Sequence, residues 1–561
     1  MNRVIVYSHL SKLSQHIKKI MPQLNIVNIN PDNNESLELN NVEIMVTDCS
    51  LLLNIRNKLS NIKWIQFTSA GVEELLGLSD DKNINFVVTR FVDSAYGLDM
   101  AEYVVMQIVA HERNQWKEYE AQKKSFWSSD SMFGQRRLLS DMTIGIMGVV
   151  ARTLKHFNAK IWGLTRTIPT TKEPYIDEYR TTSSLPEFLS NCHYIINIMP
   201  ATPETDGLLN GDMLKNCEEN NAIFMNVGRG NIIKEDDLVN ALENKWITAA
   251  ILDVFEVEPL PSTSKLWTMP QVIISPHNAC LARAESVAEL FCNNYNKFTH
   301  GEPLLHLSIS AGVEQLIELR HEKNINFVIT RFVDETYGLD MAEYIIMQIV
   351  AFERRQREEY EKLKSAVWPH NSMFVSRRLI SQMNIGIMGI GNIGKVVARS
   401  LKHFNAKIWG LTRTIPTTKE PYIDEYRTTN SLPEFLSNCH YIINIMPATP
   451  ETNGLLNGDM LKNCKENNAI FMNVGRGNII KEDDLVNALE NKWITAAILD
   501  VFEVEPLPST SKLWTMPQVI ITPHNACTVR ADGIANLFKS NYEKYMKGET
   551  LPNVLNIQRG Y

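Results

Sequence analysis

The sequence predicts an α/β protein made of doubly wound parallel sheets, with most of the architecture present twice in one chain. Short apolar runs alternate with helical patterns along the whole length, which is typical of parallel sheets covered by helices. One long stretch also recurs almost unchanged in the second half of the chain. A glycine-rich turn then joins a strand to a helix in the second copy, as in dinucleotide-binding folds.

The composition narrows the class of protein. The 561 residues are 44% hydrophobic and 21% charged, which is ordinary for globular proteins. The net charge of −8 offers no basic surface for nucleic acid, so we expect none as a partner. No apolar run has the roughly 18 residues of a membrane span, and the chain starts directly in a strand-like stretch, so we expect a cytoplasmic protein. The eight cysteines contain no CxxC pair, which argues against a metal site or a disulfide framework.

The repeat has one internal deletion. Gly71 recurs as Gly312, a shift of 241 residues, whereas His277 recurs as His524, a shift of 247. Six residues are therefore missing from the first copy, opposite residues 390–395. A repeat of this length indicates a duplicated domain and not a solenoid.

The elements follow in order along the chain. A leader without counterpart in the second copy has apolar runs at 4–7, 26–29 and 42–46 and a helical pattern at 10–20, which predicts a small parallel α/β unit. In the second copy, Met341, Ile345, Ile349 and Phe352 recur at helical spacing and predict a long amphipathic helix. Beyond it, strands are predicted at 384–388, 407–411, 441–445, 469–474, 496–501 and 519–521.

A dinucleotide fingerprint follows the first of these six strands. The chain reads Gly389-Ile-Gly391-Asn392-Ile393-Gly394, and a helical pattern begins there. The first glycine permits the tight turn, the second lets backbone amides approach a pyrophosphate, and the third allows close packing of helix on strand. This context predicts a Rossmann domain that holds a dinucleotide at the start of the helix.

The next strand bears on the choice of cofactor. Sites for NAD(H) usually carry an acidic residue about 20 positions after the turn, but this chain has Arg413 and Thr414. A guanidinium beside a hydroxyl suits a 2′-phosphate, so NADP(H) is favoured and NAD(H) remains possible. Arg413 as a solvated charge at the sheet edge is the alternative. In the first copy Gly148 runs directly into Val149, so we predict that this half cannot hold a dinucleotide in the normal way.

Three later motifs complete a pattern. They are Asn473-Val-Gly-Arg476-Gly, then Glu505-Pro after Leu499-Asp-Val-Phe, then Thr-Pro-His524-Asn-Ala. With the fingerprint, they resemble the D-isomer-specific 2-hydroxyacid dehydrogenases, most closely the glyoxylate/hydroxypyruvate reductase branch. The resemblance covers nearly the whole chain. It implies hydride transfer between a nicotinamide and a small 2-oxo or 2-hydroxy acid.

The resemblance also implies roles for these residues. Arg476 would hold the substrate carboxylate with its planar fork, His524 would protonate the carbonyl oxygen, and Glu505 would raise the pKa of the histidine and fix its tautomer. Taken singly, Arg476 is better explained as a surface ion-pair partner, Glu505 as a turn residue and His524 as a strand terminus. Taken together, at three strand ends of one sheet, they favour the catalytic interpretation. The first copy carries the same three residue types at Arg229, Glu258 and His277.

Further positions match the family. Thr452 matches a position near the cofactor phosphate, and Asp500 one near the nicotinamide amide, although a turn or helix-cap role for Asp500 is equally plausible. Backbone amides of a substrate loop would bind the other carboxylate oxygens. That loop is Ser69, Ala70 and Gly71 in the first copy, or Ser310, Ala311 and Gly312 in the second.

The family pattern divides the chain into unequal parts. We predict a flavodoxin-like substrate domain at 1–98, a cofactor domain with a deleted turn at 99–280, a C-terminal segment at 281–307, a partial substrate domain at 308–338, an intact cofactor domain at 339–527 and a final C-terminal segment at 528–561.

Neither copy is complete, and three explanations stay open. The explanation we favour is a fused gene model or recent tandem duplication whose second half has residual function at most. Alternatively, residues 1–98 complement the second cofactor domain in one composite site, or the chain is a pseudoenzyme that binds partners with a dehydrogenase fold. The two halves are expected to form an internal pseudo-dimer, or the chain a homo-oligomer.

Overall fold

The computed structural model describes residues 3–10, 12–29, 31, 42–48, 51, 55, 61–68, 87–89, 94–127, 137–147, 151–169, 171–280, 288, 292, 335–365 and 377–527. Within these residues the strands form three parallel sheets, one of five strands and two of seven. No helix of this part of the chain combines the length and the apolar character that a membrane span requires.

The leader forms the five-stranded sheet. Its elements are β1 (Arg3–Tyr7), α1 (Leu13–Ile20), β2 (Asn25–Ile29), β3 (Ile44–Thr47), β4 (Trp64–Phe67) and β5 (Val87–Thr89). The strand order β2-β1-β3-β4-β5 is the flavodoxin-like order, as predicted for the substrate domain. Strands β3 and β4 are buried throughout, which explains why their sequences are almost continuously apolar.

Two residues of the first copy's C-terminal segment complete the core of this leader sheet. Ala288 and Cys292 are buried in one cluster with Val4, Ile17 and Trp64. The chain therefore returns to the leader after the first cofactor domain. This packing places the leader with the first copy.

The first cofactor domain contains the second sheet. Its helices are α2 (Ser94–Glu112), α3 (Gln115–Lys123), α4 (Ala151–Lys155), α5 (Leu185–Leu189) and α6 (Glu235–Glu243). Its strands are β6 (Thr143–Met147), β7 (Lys160–Thr165), β8 (Glu178–Thr181), β9 (Tyr194–Asn197), β10 (Ile223–Asn226), β11 (Ala249–Leu252) and β12 (Val272–Ile274). The strand order is β12-β11-β10-β9-β6-β7-β8, which is doubly wound about β6.

The second cofactor domain repeats this order. Its helices are α7 (Glu335–Glu353), α8 (Gln356–Leu363), α9 (Asn392–Lys402), α10 (Leu432–Asn438) and α11 (Glu482–Glu490). Its strands are β13 (Asn384–Met388), β14 (Lys407–Thr412), β15 (Glu425–Thr428), β16 (Tyr441–Asn444), β17 (Ile470–Asn473), β18 (Ala496–Leu499) and β19 (Val519–Ile521). All six predicted strands are present within two residues of their predicted ends.

The two cofactor domains pack on each other through α2 and α7 and share one hydrophobic core. Buried ion pairs join them reciprocally: Arg113 contacts Asp340, and Arg354 contacts Asp99. Because each pair is the other shifted by 241 residues, the contact is isologous, as in a two-fold dimer. The predicted internal pseudo-dimer is therefore the arrangement within this chain.

The prediction of an amphipathic helix at Met341 to Phe352 was only partly right. The helix exists as α7, but every residue from 338 to 350 is buried. One side packs on its own domain, and the other side is covered by α2 of the first copy. A second buried face makes the helix apolar nearly all round.

Candidate active site

The phosphate turn of the second copy has the geometry of a pyrophosphate cradle. Gly389 has a φ of +103°, which disfavours any side chain, and Gly391 is the residue before the first turn of α9. A Cβ at Gly394 would lie 2.0 Å from the carbonyl oxygen of Gly389, so only glycine allows this approach of helix and strand. A Cβ at Gly391 would meet nothing within 4 Å. Asn392 and Ile393 are the first two residues of the helix. The open space in front of this helix N-terminus fits a dinucleotide phosphate.

The first copy lacks this arrangement. Residues 148–150, where the turn would lie, are outside the described residues. The helix that follows has five residues and begins at Ala151, the counterpart of Ala398, whereas α9 has 11. Residues 392–395, which form the start of α9, have no counterpart in the first copy. Among the described residues, the helix after β6 therefore begins six positions later than α9 begins after β13.

Arg413 and Thr414 follow the carboxyl end of β14, next to the strand that carries the phosphate turn. The Arg413 Nη2 atom lies 3.8 Å from Glu451 Oε2, and both side chains are exposed. Thr452 lies in the loop after β16, where its hydroxyl donates to the carbonyl oxygen of Pro447 at 2.6 Å. These residues lie beyond the carboxyl ends of the strands, where ligands of doubly wound sheets bind.

His524 and Glu505 form a hydrogen-bonded pair. His524 Nδ1 lies 2.6 Å from Glu505 Oε2, and the backbone amide of Phe502 donates to the other carboxylate oxygen at 2.8 Å. The imidazole is 36% exposed, so it is fixed by its partner yet open to a ligand. The pair therefore has the geometry of a histidine oriented by a carboxylate.

The hydrogen bond to Glu505 raises the pKa of His524 above its ordinary value, although burial opposes this shift. For Glu505, burial raises the pKa, but the hydrogen bonds from His524 and the Phe502 amide outweigh it and lower the pKa. Of the two groups, the imidazole is therefore the one that holds the proton of the pair. This protonation state suits a general acid.

Arg476 completes the group at the end of β17. Its Nη1 atom donates to the carbonyl oxygen of Gly475 at 2.7 Å, and the side-chain amide of Asn473 donates to its backbone carbonyl. The guanidinium is close enough to lower the pKa of both His524 and Glu505. Three strand ends of one sheet thus bring a cation, a carboxylate and an imidazole together, and the roles expected for them remain a prediction.

Asp500 anchors the loop that carries His524. One of its buried carboxylate oxygens accepts from the Thr522 hydroxyl at 2.6 Å and the Asn525 amide at 2.9 Å, and the other from the Ala526 amide at 3.0 Å. Burial raises the pKa of this carboxyl. These contacts support the turn role for Asp500, and its expected place beside the nicotinamide remains a prediction.

The first copy retains the same catalytic geometry. His277 Nδ1 lies 2.7 Å from Glu258 Oε2, and Arg229 donates to the carbonyl oxygen of Gly228 at 2.8 Å. The hydrogen bond to Glu258 raises the pKa of His277. The two copies therefore differ at the phosphate turn and not at the catalytic group.

The predicted substrate loops, Ser69, Ala70 and Gly71 in the first copy and Ser310, Ala311 and Gly312 in the second, lie outside the described residues. The residues just before the first loop form a cluster that the sequence analysis missed. The carboxylate of Asp48 accepts from the hydroxyls of Ser8 and Thr68 and contacts His9 Nδ1. Asp48 and Thr68 each directly follow a buried strand, and that position could have indicated them.

A tryptophan of the first copy borders the second-copy site. The ring of Trp127 lies edge-on to that of Phe502, with 5.5 Å between the ring centres. Phe502 supplies the amide that binds Glu505. No sequence pattern could have indicated this contact, because it joins residues of different copies.

The sequence model of the NAD binding domain of D-isomer specific 2-hydroxyacid dehydrogenases matches residues 105–279 and again 346–526. The chain belongs to this family. It is accordingly an oxidoreductase with a nicotinamide dinucleotide cofactor, and each matched stretch contains one of the two sets of arginine, glutamate and histidine described above.

Several solved structures of the family are similar to the chain. A family member from Aeromonas salmonicida is 30% identical, with 54% of this chain and 97% of that protein covered and a TM-score of 0.48. A dehydrogenase from Xanthobacter autotrophicus in complex with NADPH is 29% identical, with coverage of 45% and 100% and a TM-score of 0.41. A glyoxylate/hydroxypyruvate reductase from Sinorhizobium meliloti in complex with NADP is 25% identical, with coverage of 54% and 96% and a TM-score of 0.47.

Proposed function

We propose that this family member reduces small 2-oxo acids such as glyoxylate or hydroxypyruvate with NADPH, and that turnover takes place in the second copy. One observation carries the proposal. The second cofactor domain combines an open glycine cradle at Gly391 with the Arg476, Glu505 and His524 group, whereas the first has the catalytic group with a shortened phosphate helix.

The residues of the second copy divide the chemistry between them. A bound reduced nicotinamide would supply the hydride. Arg476 would bind the substrate carboxylate through two parallel hydrogen bonds and orient the carbonyl group. His524 would donate its proton to the carbonyl oxygen, so that the 2-oxo acid becomes the 2-hydroxy acid, and Glu505 would stabilise the imidazolium before that transfer.

Arg413 and Thr414 support NADPH over NADH. A 2′-phosphate next to β14 would face a guanidinium and a hydroxyl, and charge-assisted hydrogen bonds of this kind are strong. Glu451, at 3.8 Å from Arg413, holds the guanidinium loosely in an exposed ion pair. A phosphate dianion would compete well for the same cation.

The proposal includes the domain division. Residues 1–98 with the C-terminal segment 281–307 would form the first substrate domain, and 99–280 and 339–527 would be the cofactor domains. Residues 308–338 would be a partial substrate domain of the second copy, and 528–561 a C-terminal segment that returns to a substrate domain. The burial of Ala288 and Cys292 among leader residues supports the first of these pairings.

A second candidate is a dinucleotide-binding protein with little or no turnover. Its support is the leader sheet, whose core among the described residues includes Ala288 and Cys292 of the first copy and no residue of the second. The Arg476, Glu505 and His524 group would then have only the partial substrate domain of the second copy, 308–338, to help bind a substrate. Binding of NADPH without turnover would favour this candidate.

The test is glyoxylate-dependent oxidation of NADPH and NADH by the full chain and two matched variants. His524→Gln should lower kcat by at least about 100-fold, because a general acid contributes roughly that much or more. His277→Gln, the same change in the first copy, should retain turnover. Loss of activity in His277→Gln with activity kept in His524→Gln would place turnover in the first copy and contradict the proposal.

A further inference from the structure

The two copies end their sheets with the same strand in different surroundings. Strands β12 and β19 both read Val-Ile-Ile and are the edge strands of their sheets. All three residues of β19 are buried, whereas all three of β12 are only half-buried. Since the strands are identical, the difference comes from the residues that pack against each of them.

A glutamine covers the edge of β19. The side-chain amide nitrogen of Gln122, in α3 of the first copy, donates to the carbonyl oxygen of Val519 at 2.8 Å. The backbone amide of Ile521 donates to the side-chain oxygen of Gln122 at 3.2 Å. One primary carboxamide thus pairs with a donor and an acceptor of the edge strand, as a neighbouring strand would.

The corresponding position in α8 of the second copy is Leu363, which has no hydrogen-bonding side chain. In β12, Gln271 and Ser275 form backbone hydrogen bonds with β11. Because alternate residues of a strand direct their backbone groups to opposite sides, the carbonyl oxygen of Val272 and the amide of Ile274 face the outer edge. The hydrogen bonds of the described residues include none to either outward atom. Among the described residues, no side chain pairs with the edge of β12 as Gln122 pairs with that of β19.

A cavity of about 210 Å³ lies between β12 and α8. Its walls are mainly apolar and aromatic, and they include Trp116, Trp267, Tyr360 and Leu363 together with Val272 to Ser275. An apolar cavity of roughly 150 Å³ suffices to bind benzene. This space, called the edge pocket below, therefore has the size and lining for a small ring compound.

The edge pocket carries no unbalanced negative charge at neutral pH. Glu359 is the only acidic residue among the described residues that line it, and it accepts a hydrogen bond from the side-chain amide of Asn278 at 3.3 Å. Burial raises the pKa of Glu359 to about 8. The cation among these lining residues, Lys364, is paired with Glu120 at 2.8 Å, so the walls favour a neutral ligand.

We propose that the edge pocket binds a small neutral molecule that carries a primary carboxamide on an apolar or aromatic body. The amide nitrogen would donate to the Val272 carbonyl, the amide oxygen would accept from the Ile274 amide, and the ring would lie against the tryptophans. Gln122 shows, on the identical strand, that a carboxamide makes both bonds. None of the residues lining the pocket belongs to the catalytic group, so this binding site goes beyond the proposed reaction.

The test uses benzamide as the probe and calorimetry on the full chain. Saturation with NADPH keeps benzamide from the nicotinamide region of the active site. One benzamide per chain should bind, and N,N-dimethylbenzamide, which has the ring but no N–H donor, should bind at least about tenfold more weakly. Equal affinity for the two compounds would overturn the proposal, since it would show an apolar cavity without amide recognition.

Two variants test the location. Leu363→Gln supplies an internal carboxamide of the kind that Gln122 provides, so benzamide binding should be lost while NADPH binding stays normal. Leu363→Met keeps an apolar side chain of similar volume and should retain benzamide binding. Unchanged benzamide affinity in Leu363→Gln would contradict the assignment.

Hydrogen exchange of the wild-type protein gives a check that needs no variant. Benzamide should slow the exchange of the Ile274 amide in the peptide that contains β12, and should leave the identical β19 peptide unchanged. Absence of protection at β12 would overturn the proposal even if Leu363→Gln did not fold.

Discussion

Two positions of the phosphate turn, Gly394 and Gly391, need glycine for different physical reasons. At Gly394 the space for a Cβ is taken by the Gly389 carbonyl, so the requirement belongs to the fold. At Gly391 the backbone is extended and the space for a Cβ is open, so glycine is needed there for the approach of the ligand and not for the fold. The sequence motif alone does not separate these two roles, because it gives the same residue type for both.

The two glycines should therefore respond differently to alanine. Gly391→Ala should leave the melting temperature nearly unchanged but weaken NADPH binding at least about tenfold, because the methyl group occupies the space in front of the helix N-terminus. Gly394→Ala should cost about 1–3 kcal/mol of stability through overpacking. Fluorescence titration with NADPH and thermal unfolding measure the two effects. Equal loss of stability in both variants would show that Gly391 is also structural.

The pair of His524 and Glu505 predicts the pH dependence of reduction. Reduction needs the protonated imidazole, so kcat/KM should be constant below the pKa of His524 and fall as the pH rises through it. Because Glu505 raises that pKa, Glu505→Gln should move the fall to lower pH. The pH profile of glyoxylate reduction measures this shift. Glu258→Gln in the first copy serves as the control and should leave the profile in place.

At the scale of elements, the strands were the most predictable part of the fold. The second sheet could be predicted from runs such as Asn384–Met388, because strands buried on both faces are continuously apolar. The grouping of Arg476, Glu505 and His524 could also be predicted from the sequence, since these residues follow strand ends of one parallel sheet. Such features depend on local sequence and on a topology that places those ends at one edge.

Other features depend on partners far away in the chain and could not be predicted. The apolar pattern of α7 indicated one buried face, but α2 covers a second face. Gln122 is an ordinary polar helix residue in the sequence, and its role becomes visible only where it meets β19. The contact of Trp127 with Phe502 at the second-copy site could not be predicted either. Each contact spans the two copies, so no local period or motif contains it.

The interface elements predict how the two copies depend on each other. Arg113 is 4% exposed and contacts Asp340, which is 2% exposed, at 2.5 Å. Arg113→Met should cost about 3–5 kcal/mol, because it leaves a buried carboxylate without this cation. Lys123→Met removes an exposed ion pair with Glu361 across the same interface and should have no measurable effect. Urea unfolding of both variants compares them, and equal midpoints would show that the buried pair does not hold the copies together.

At the scale of the whole molecule, the chain distributes the parts of two enzymes unequally. The leader sheet packs with the first copy, and the complete phosphate turn lies in the second. The full chain should therefore bind one NADPH, which calorimetry can count. Gly391→Ala should weaken that single binding event. Two equal binding events per chain would show that the shortened helix of the first copy still holds a dinucleotide.

The reciprocal pairing of α2 with α7 has a further consequence because both helices belong to one polypeptide. Two separate subunits come apart on dilution, whereas tethered partners meet at an effective concentration set by the linker, which reaches the millimolar range for short linkers. The paired state of this chain is therefore independent of how much protein a cell makes. Each molecule also contains one first copy, with the deletion in its phosphate turn, and one second copy, with the complete turn. Within a chain, a copy with the deletion is therefore always paired with a copy that has the complete turn.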